Sequence, residues 1–255
     1  MDGRVVVIGA LAGCVWSAAA YAQRCEARSA ARPPAIVELY TSEGCSSCPP
    51  ADRWLTGLKG RGDVLALAFH VNYWDRLGWP DRFATPATTE RQHQLAQGSG
   101  SGYVYTPQVI VNGADLRQWS GSTPHALPAT PVTLELQRNG TTVTARVGTA
   151  AGAASNASSG KRTGQLAGYW AVLEDGHTSR VRAGENAGQV LRHDHVVVQY
   201  QPVQPWSADA VPAVQWTLAP PTPLTPLTPG IVRRVAFVVT DALSRRPLQA
   251  LALDC

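Results

Sequence analysis

Charge is scarce in this 255-residue chain: Asp, Glu, Lys and Arg make up 16% of it and leave a net charge of +4. No dense Lys/Arg cluster with interleaved aromatics is present, which argues against a nucleic-acid surface. Beyond residue 15 no apolar run is long enough to cross a bilayer as a helix, so a mature chain is expected to have no transmembrane segment. No internal repeat of useful length is visible. The single Cys-x-x-Cys has no second pair, so the chain lacks the spacing of a structural zinc site. What the sequence does hold is ample apolar material: 44% is hydrophobic, a globular composition with enough length for one large or two small cores. Its 23 glycines and 19 prolines point to many turns outside the helices.

The first 22 residues read as an export signal. Arg4 precedes an apolar stretch, Val5 to Val15, and Ala20-Tyr21-Ala22 fits a small-x-small cleavage site. Leu11-Ala12-Gly13-Cys14 offers an alternative, a lipoprotein anchored at Cys14. The expected location is therefore periplasmic or secreted. Loss of Cys14 leaves four cysteines, Cys25, Cys45, Cys48 and Cys255, in an oxidising compartment where disulfides persist. Cys45 and Cys48 form a natural pair. Cys25 and Cys255 remain near the two ends, which often lie together in a domain, and are expected to bridge. So long a loop is worth roughly 4–5 kcal/mol in the chain-entropy model. The alternative for these two is free or intermolecular thiols.

Ala35 to Tyr40 reads as a strand ending in a Thr-Ser-Glu-Gly turn, and Pro49 to Leu58 as a helix whose prolines fit only its first turn. The near-continuous apolar run Val64 to Val71 suits a strand buried on both faces. This strand-helix-strand order predicts a right-handed crossover with both strand C-termini on one sheet edge, where ligand chemistry collects in open α/β sheets. That edge would bring His70, Tyr73 and Trp74 near Cys45. A polar helix is expected over Thr88 to Gln97, and a strand entered through Pro107 ends at Asn112-Gly113. From Pro131 the pattern changes to β-hairpins: an alternating pair over Val132–Val147 about Asn139-Gly140, then strands at Tyr169–Glu174, Val196–Tyr200, Ile231–Thr240 and Leu248–Leu253. Strands separated by turns, with no helix signal, predict a β-sandwich.

Val37 to Cys48, with Cys45-Ser46-Ser47-Cys48 at its end, resembles the opening of glutaredoxins. Thr106-Pro107-Gln108-Val109-Ile110-Val111 resembles their cis-proline segment. The resemblance covers about residues 35 to 122. It implies an α/β thioredoxin-like domain (a βαβ unit plus a cis-Pro strand) over 23–128, packed against a β-rich C-terminal domain over 129–255. The whole chain is similar to an exported bacterial family, DUF1223. That similarity rests on Cys-Ser-Ser-Cys-Pro-Pro-Ala-Asp at 45–52, His70 to Asp75, Gly78-Trp79, Gly184-Glu-Asn-Ala-Gly188, and His193-Asp-His195. The glutathione-binding Gly-Gly of glutaredoxins is replaced by Trp119-Ser120-Gly121-Ser122, which gives glutathione only a slender basis.

The function expected is an exported thiol–disulfide oxidoreductase. It would act as a monomer on thiol- or disulfide-containing proteins or small thiols, using its own Cys45–Cys48 disulfide and no other cofactor. A helix N-terminus favours the thiolate, the reactive form. Cys45, nearer solvent, is the expected nucleophile and Cys48 the resolving thiol. Pro107 and Thr106 would hold the partner, Tyr73 and Trp74 would line its groove, and Glu38 and His70 would modulate the thiols. Two alternatives remain: a non-enzymatic binding protein on the same scaffold, or copper handling through Cys45, Cys48 and His70. His193 and His195, two apart, would share a face if they lie on one strand.

Overall fold

The structure, a computed structural model, describes residues 25–149, 164–209, 214–218 and 229–254. The expected signal peptide with Cys14, and Cys255, lie outside the described residues. The chain runs β1 (Cys25–Arg28), β2 (Ala35–Thr41), α1 (Pro49–Thr56), β3 (Val64–His70), a 3-10 turn (Asp75–Leu77), α2 (Pro86–Gly98), β4 (Gln108–Val111) and β5 (Ala114–Asp115). It continues through strands only: β6 (Val132–Asn139), β7 (Thr142–Thr149), β8 (Gln165–Asp175), β9 (His177–Arg180), β10 (Val190–His193), β11 (Val196–Ser207), β12 (Val214–Leu218), β13 (Val232–Asp241) and β14 (Pro247–Leu253).

The expected α/β thioredoxin-like domain followed by an all-β, sandwich-like region does not form. Strand predominates, α1 and α2 are the two α-helices among the described residues, and one mixed eight-stranded sheet runs through both halves in the order β14-β13-β8-β11-β3-β2-β4-β5. The reason lies at β3. Its free edge is taken by β11, parallel at Val196↔Ala68, and β11 pairs antiparallel with β8 along most of its length. A second, four-stranded sheet has the order β1-β6-β7-β12, and β9 and β10 form a small hairpin.

Alternation then sorts the side chains into two faces. Ile36 and Tyr40 of β2 join Phe69, Tyr169, Leu173 and Val238 on one face. Val37 and Leu39 turn to the other, where Ala51 and Leu55 of α1 cover them. Further along that second face, Trp170, Val172 and Phe237 meet Leu134, Leu136 and Val147 of the four-stranded sheet. Local chemistry sets the element ends. Pro49 and Pro50 fall at the first helical positions of α1, where no backbone donor is lost from the ladder. α2 opens on a reciprocal Thr85/Thr88 capping box with Pro86 inside it. The β6–β7 hairpin turns at Asn139-Gly140, with Gly140 at φ +59°.

Candidate functional site

β2 and β3 run parallel, with Thr41 beside His70 at their C-terminal ends. The chain then turns through Ser42-Glu43-Gly44 into Cys45, and α1 starts directly after Cys48. Cys45 and Cys48 form a disulfide. Both sulfurs' residues are fully buried, at 0% exposure, whereas Ser46 and Ser47 between them are exposed. Cys45 is therefore not the solvent-facing member of the pair.

Three predicted partners converge on this edge. β4 pairs antiparallel with β2 at Tyr40↔Gln108, so Pro107 sits level with the end of β2, and the Thr106–Pro107 bond is cis. Gln92 of α2 holds this segment by donating to the Tyr105 carbonyl at 2.8 Å and to Gln108 Oε1 at 2.9 Å. Trp74 Nε1 donates to Thr106 Oγ1 at 2.8 Å. The same tryptophan packs on Gly44, where an added Cβ would come within 3.0 Å of Trp74 Cβ. Trp74 thus ties the turn before Cys45 to the residue before Pro107. Tyr73 lies deeper. Its hydroxyl reaches Gln92 Oε1 at 3.3 Å, and burial pushes it up to about 12.

Glu38 is placed away from the cysteines. It leaves β2 on the face opposite α1 and is bonded by Arg91 Nη2 at 2.6 Å, Tyr169 Oη at 2.9 Å and Tyr40 Oη at 3.0 Å. Burial opposes the Arg91 charge, but Glu38 outweighs it and holds the guanidinium well above its usual range. Arg91 also lies 4.2 Å from the Tyr169 ring centroid, a cation–π contact. This group fastens α2 to the sheet.

Beneath the start of α1 lies a buried polar cluster. His70 Nδ1 meets Asp81 Oδ2 at 2.6 Å, with the side chains 1% and 0% exposed. Burial opposes the imidazolium, yet the Asp81 carboxylate holds His70 above its ordinary value; Asp81 is correspondingly held low against burial by His70. Asp81 also accepts from the backbone N–H of Glu43 at 2.8 Å and of Phe83 at 2.9 Å. Glu43 takes a 2.6 Å bond from Trp79 Nε1, and His193 Nε2 lies 3.2 Å from its other oxygen. The His70 and His193 rings stand edge to face, 5.1 Å apart. Asp52 completes the cluster. It is buried, and burial raises its carboxyl against the pull of His193 and His70. Its backbone N–H donates to the Cys48 carbonyl at 3.1 Å, and the spacing of four sets it on the helix face below Cys48.

Asp52 has no role in the sequence pattern alone, although Pro-Pro-Ala-Asp places it one turn after Cys48. Nor does that pattern give a role to the 181–189 loop between β9 and β10. There Asn186 Nδ2 donates to the carbonyls of Glu43 and Cys45, each at 2.9 Å, and Glu185 Oε2 accepts from Ser46 N at 3.0 Å and Ser46 Oγ at 2.7 Å. These contacts span over a hundred residues, so no local pattern reports them. His193 and His195 do not share a strand face: β10 ends at His193, and His195 turns back in the left-handed region at φ +58°. His195 is instead bound by Arg234 Nη2 at 2.9 Å, and burial lowers it to about 4. For copper, the two sulfurs are in a disulfide and His70 is committed to Asp81; no group of three or more His, Cys, Asp or Glu among the described residues is arranged to hold a metal ion. Cys25 is disulfide-bonded; Cys255, the partner expected for it, lies outside the described residues. No helix among the described residues is long and apolar enough to cross a membrane.

A family described as a protein of unknown function, DUF1223, matches residues 36–235. Among curated proteins none matches. A crystal structure of an Agrobacterium tumefaciens protein is similar at 26% identity with a TM-score of 0.58, over 86% of this chain and 93% of that one. HBP35 of Porphyromonas gingivalis shares the fold at 12% identity and a TM-score of 0.55, over 89% of this chain and 76% of that one.

Proposed function

The chain belongs to the DUF1223 family, whose description assigns no activity, and from the site itself we propose that it is an exported thiol–disulfide oxidoreductase. The observation that carries this reading is the Cys45–Cys48 disulfide at the opening of α1, on the same sheet edge as Trp74, Thr106 and Pro107. A ring so small contributes little as a staple, whereas a helix N-terminus stabilises a thiolate.

In the reduced protein the Cys45 thiolate attacks one sulfur of a partner disulfide. The partner S–S bond breaks, one partner thiolate leaves and takes a proton from water, and Cys45 is held in a mixed disulfide. Cys48 then gives its proton to the Asp52 carboxylate below it and attacks Cys45 Sγ. The mixed bond breaks, the second partner thiolate departs, and the Cys45–Cys48 disulfide is restored. Two electrons have passed from the dithiol to the partner. The same steps in reverse oxidise a dithiol partner. Asp52 is suited to the task because it is buried one helical turn after Cys48 and burial raises its carboxyl above the ordinary value, which favours taking up a proton. Glu38 takes no part, being held by Arg91 on the far face. Thr106 and Pro107 line the edge where a partner thiol or disulfide, on a protein or a small molecule such as glutathione, would lie. The leader-like pattern of residues 1–22 and the disulfide at Cys25 support an oxidising, extracytoplasmic address.

The test is disulfide exchange and insulin reduction by the purified protein. The native protein catalyses at least one of them, Cys45→Ser abolishes it, and Asp52→Asn slows it and flattens its pH profile. Absence of both activities in native protein refutes the proposal. The full burial of Cys45 favours a second reading, a non-enzymatic binding protein with an inert disulfide, and that reading predicts a Cys45→Ser protein with its biological role intact.

A further inference from the structure

Full burial of a nucleophile calls for something that moves. The segment bonded to the Cys45 carbonyl and to Ser46 comes from a distant part of the chain: the loop between β9 and β10, residues 181–189. Its hold on the Cys-Ser-Ser-Cys turn is confined to two neighbouring side chains. Asn186, itself fully buried, spans the carbonyls of Glu43 and Cys45, and Glu185, exposed, caps the Ser46 N–H and hydroxyl. Those bonds to Ser46 hold the Glu185 carboxyl below its ordinary value. The loop's base is pinned by reciprocal backbone bonds, Val181 N–H to the Gln189 carbonyl and Gly188 N–H to the Val181 carbonyl. Its tip is bracketed by Gly184 at φ +73° and Gly188 at φ +86°, left-handed positions that suit glycine. Leu77, at the rim beside Gly184, is partly open to solvent. The residues of this loop other than Val181 and Asn186 are exposed or half-buried. The loop has a firm base, a polar latch and little apolar anchorage, the makings of a segment that opens locally below the cost of global unfolding.

We propose that the 181–189 loop is a gate over the Cys45–Cys48 disulfide, latched by Glu185 and Asn186, and that a redox partner reaches Cys45 only when the latch releases. The inference rests on the oxidoreductase reading for its purpose but not for its geometry. An opened gate frees two carbonyls, those of Glu43 and Cys45, and one N–H, that of Ser46, beside the sulfur. An extended main chain of a protein partner carries the complementary donors and acceptor, so the gate fits a polypeptide partner that replaces the latch bond for bond.

The experiment follows reduction of the Cys45–Cys48 bond in the full-length oxidised protein by a small phosphine, with alkylation and mass mapping of the freed thiols. Glu185→Ala, Asn186→Ala and Ser46→Ala are compared with native protein. Loss of a charge-assisted bond from the latch is expected to speed reduction on the order of tenfold for Glu185→Ala, with a smaller gain for Ser46→Ala. Glu185 and Ser46 are exposed, so these two decide the matter even where Asn186→Ala fails to fold. Rates within twofold of native in both, at unchanged melting temperature, overturn the gate. A phosphine needs no catalysis, so this result is independent of insulin reduction: a gated disulfide without exchange activity retires the enzyme reading alone, and active protein with ungated rates retires the gate alone.

Discussion

Replacing both Cys45 and Cys48 by alanine separates a reactive disulfide from a structural one. In the chain-entropy relation a bridge spanning a sequence separation of 3 restrains the unfolded chain by only about 2 kcal/mol. The two residues are fully buried, so trimming two sulfurs to methyl groups adds a small packing loss, on the order of 1 kcal/mol. The sum is about 3 kcal/mol. For a chain of this size each kcal/mol moves the melting temperature by roughly 2–4 °C, so the double variant should melt about 6–12 °C below native. Circular dichroism melts at neutral pH, without reductant so that the Cys25 disulfide stays intact, read the shift directly. A fall of more than about 20 °C, or failure to fold, would make this bridge the staple that its ring size says it is not.

Asp52→Asn should raise the melting temperature at pH 7–8 and leave it unchanged near pH 3. Burial raises the Asp52 pKa in the folded state, so the ionised form burdens the fold once pH climbs past the unfolded carboxyl value, and the amide removes that burden. Asp81→Asn should cost about 3–5 kcal/mol at pH 5, because it strands a buried His70. His70 is raised, so its contribution is whole below its unfolded value and is lost as pH rises through the folded one. Asp81 is lowered, so its contribution is whole above its unfolded value and is lost as pH falls. The pair is at full strength between about pH 4 and 6.5, and denaturant unfolding at pH 5 and pH 9 should show the cost shrinking at pH 9. Glu38→Gln should lose a similar amount of stability by breaking the buried Arg91 pair, yet leave the rate of disulfide exchange per folded molecule unchanged; a changed pH profile would return Glu38 to the site.

The parts of the fold legible in the sequence are those whose cause is local. Two prolines after Cys48 fit only a first helical turn, and the near-continuous apolar run from Val64, short and followed by a loop, suits a strand covered on both sides. Asn139-Gly140 names its own hairpin. What local pattern could not report is sheet membership. The strands from Gln165 onward are separated by turns as they would be in a sandwich, and the pairing of Val196 with Ala68 extends the N-terminal sheet into them. The same limit applies to the site. Cys45 and Cys48 stand out by their spacing before a helix, Thr106 and Pro107 only through the resemblance to the glutaredoxin cis-proline segment, and Trp74 as part of an aromatic loop after the second strand. Asp52 shows itself once the helix period is applied to Cys48. Asn186 and Glu185 depend on a β9–β10 excursion that no neighbouring residue encodes, and alternation along β2 places Glu38 on the face opposite α1, with Ile36 and Tyr40.

The most direct measurement is the reduction potential of Cys45–Cys48, by equilibrating the full-length protein in thiol redox buffers and mapping the fraction of that pair reduced. A working redox disulfide will lie above about −300 mV, in the range where cellular thiol systems exchange with it. A value well below that, with no reduction by physiological thiols, would mark the pair as an inert structural bridge and contradict the proposed function.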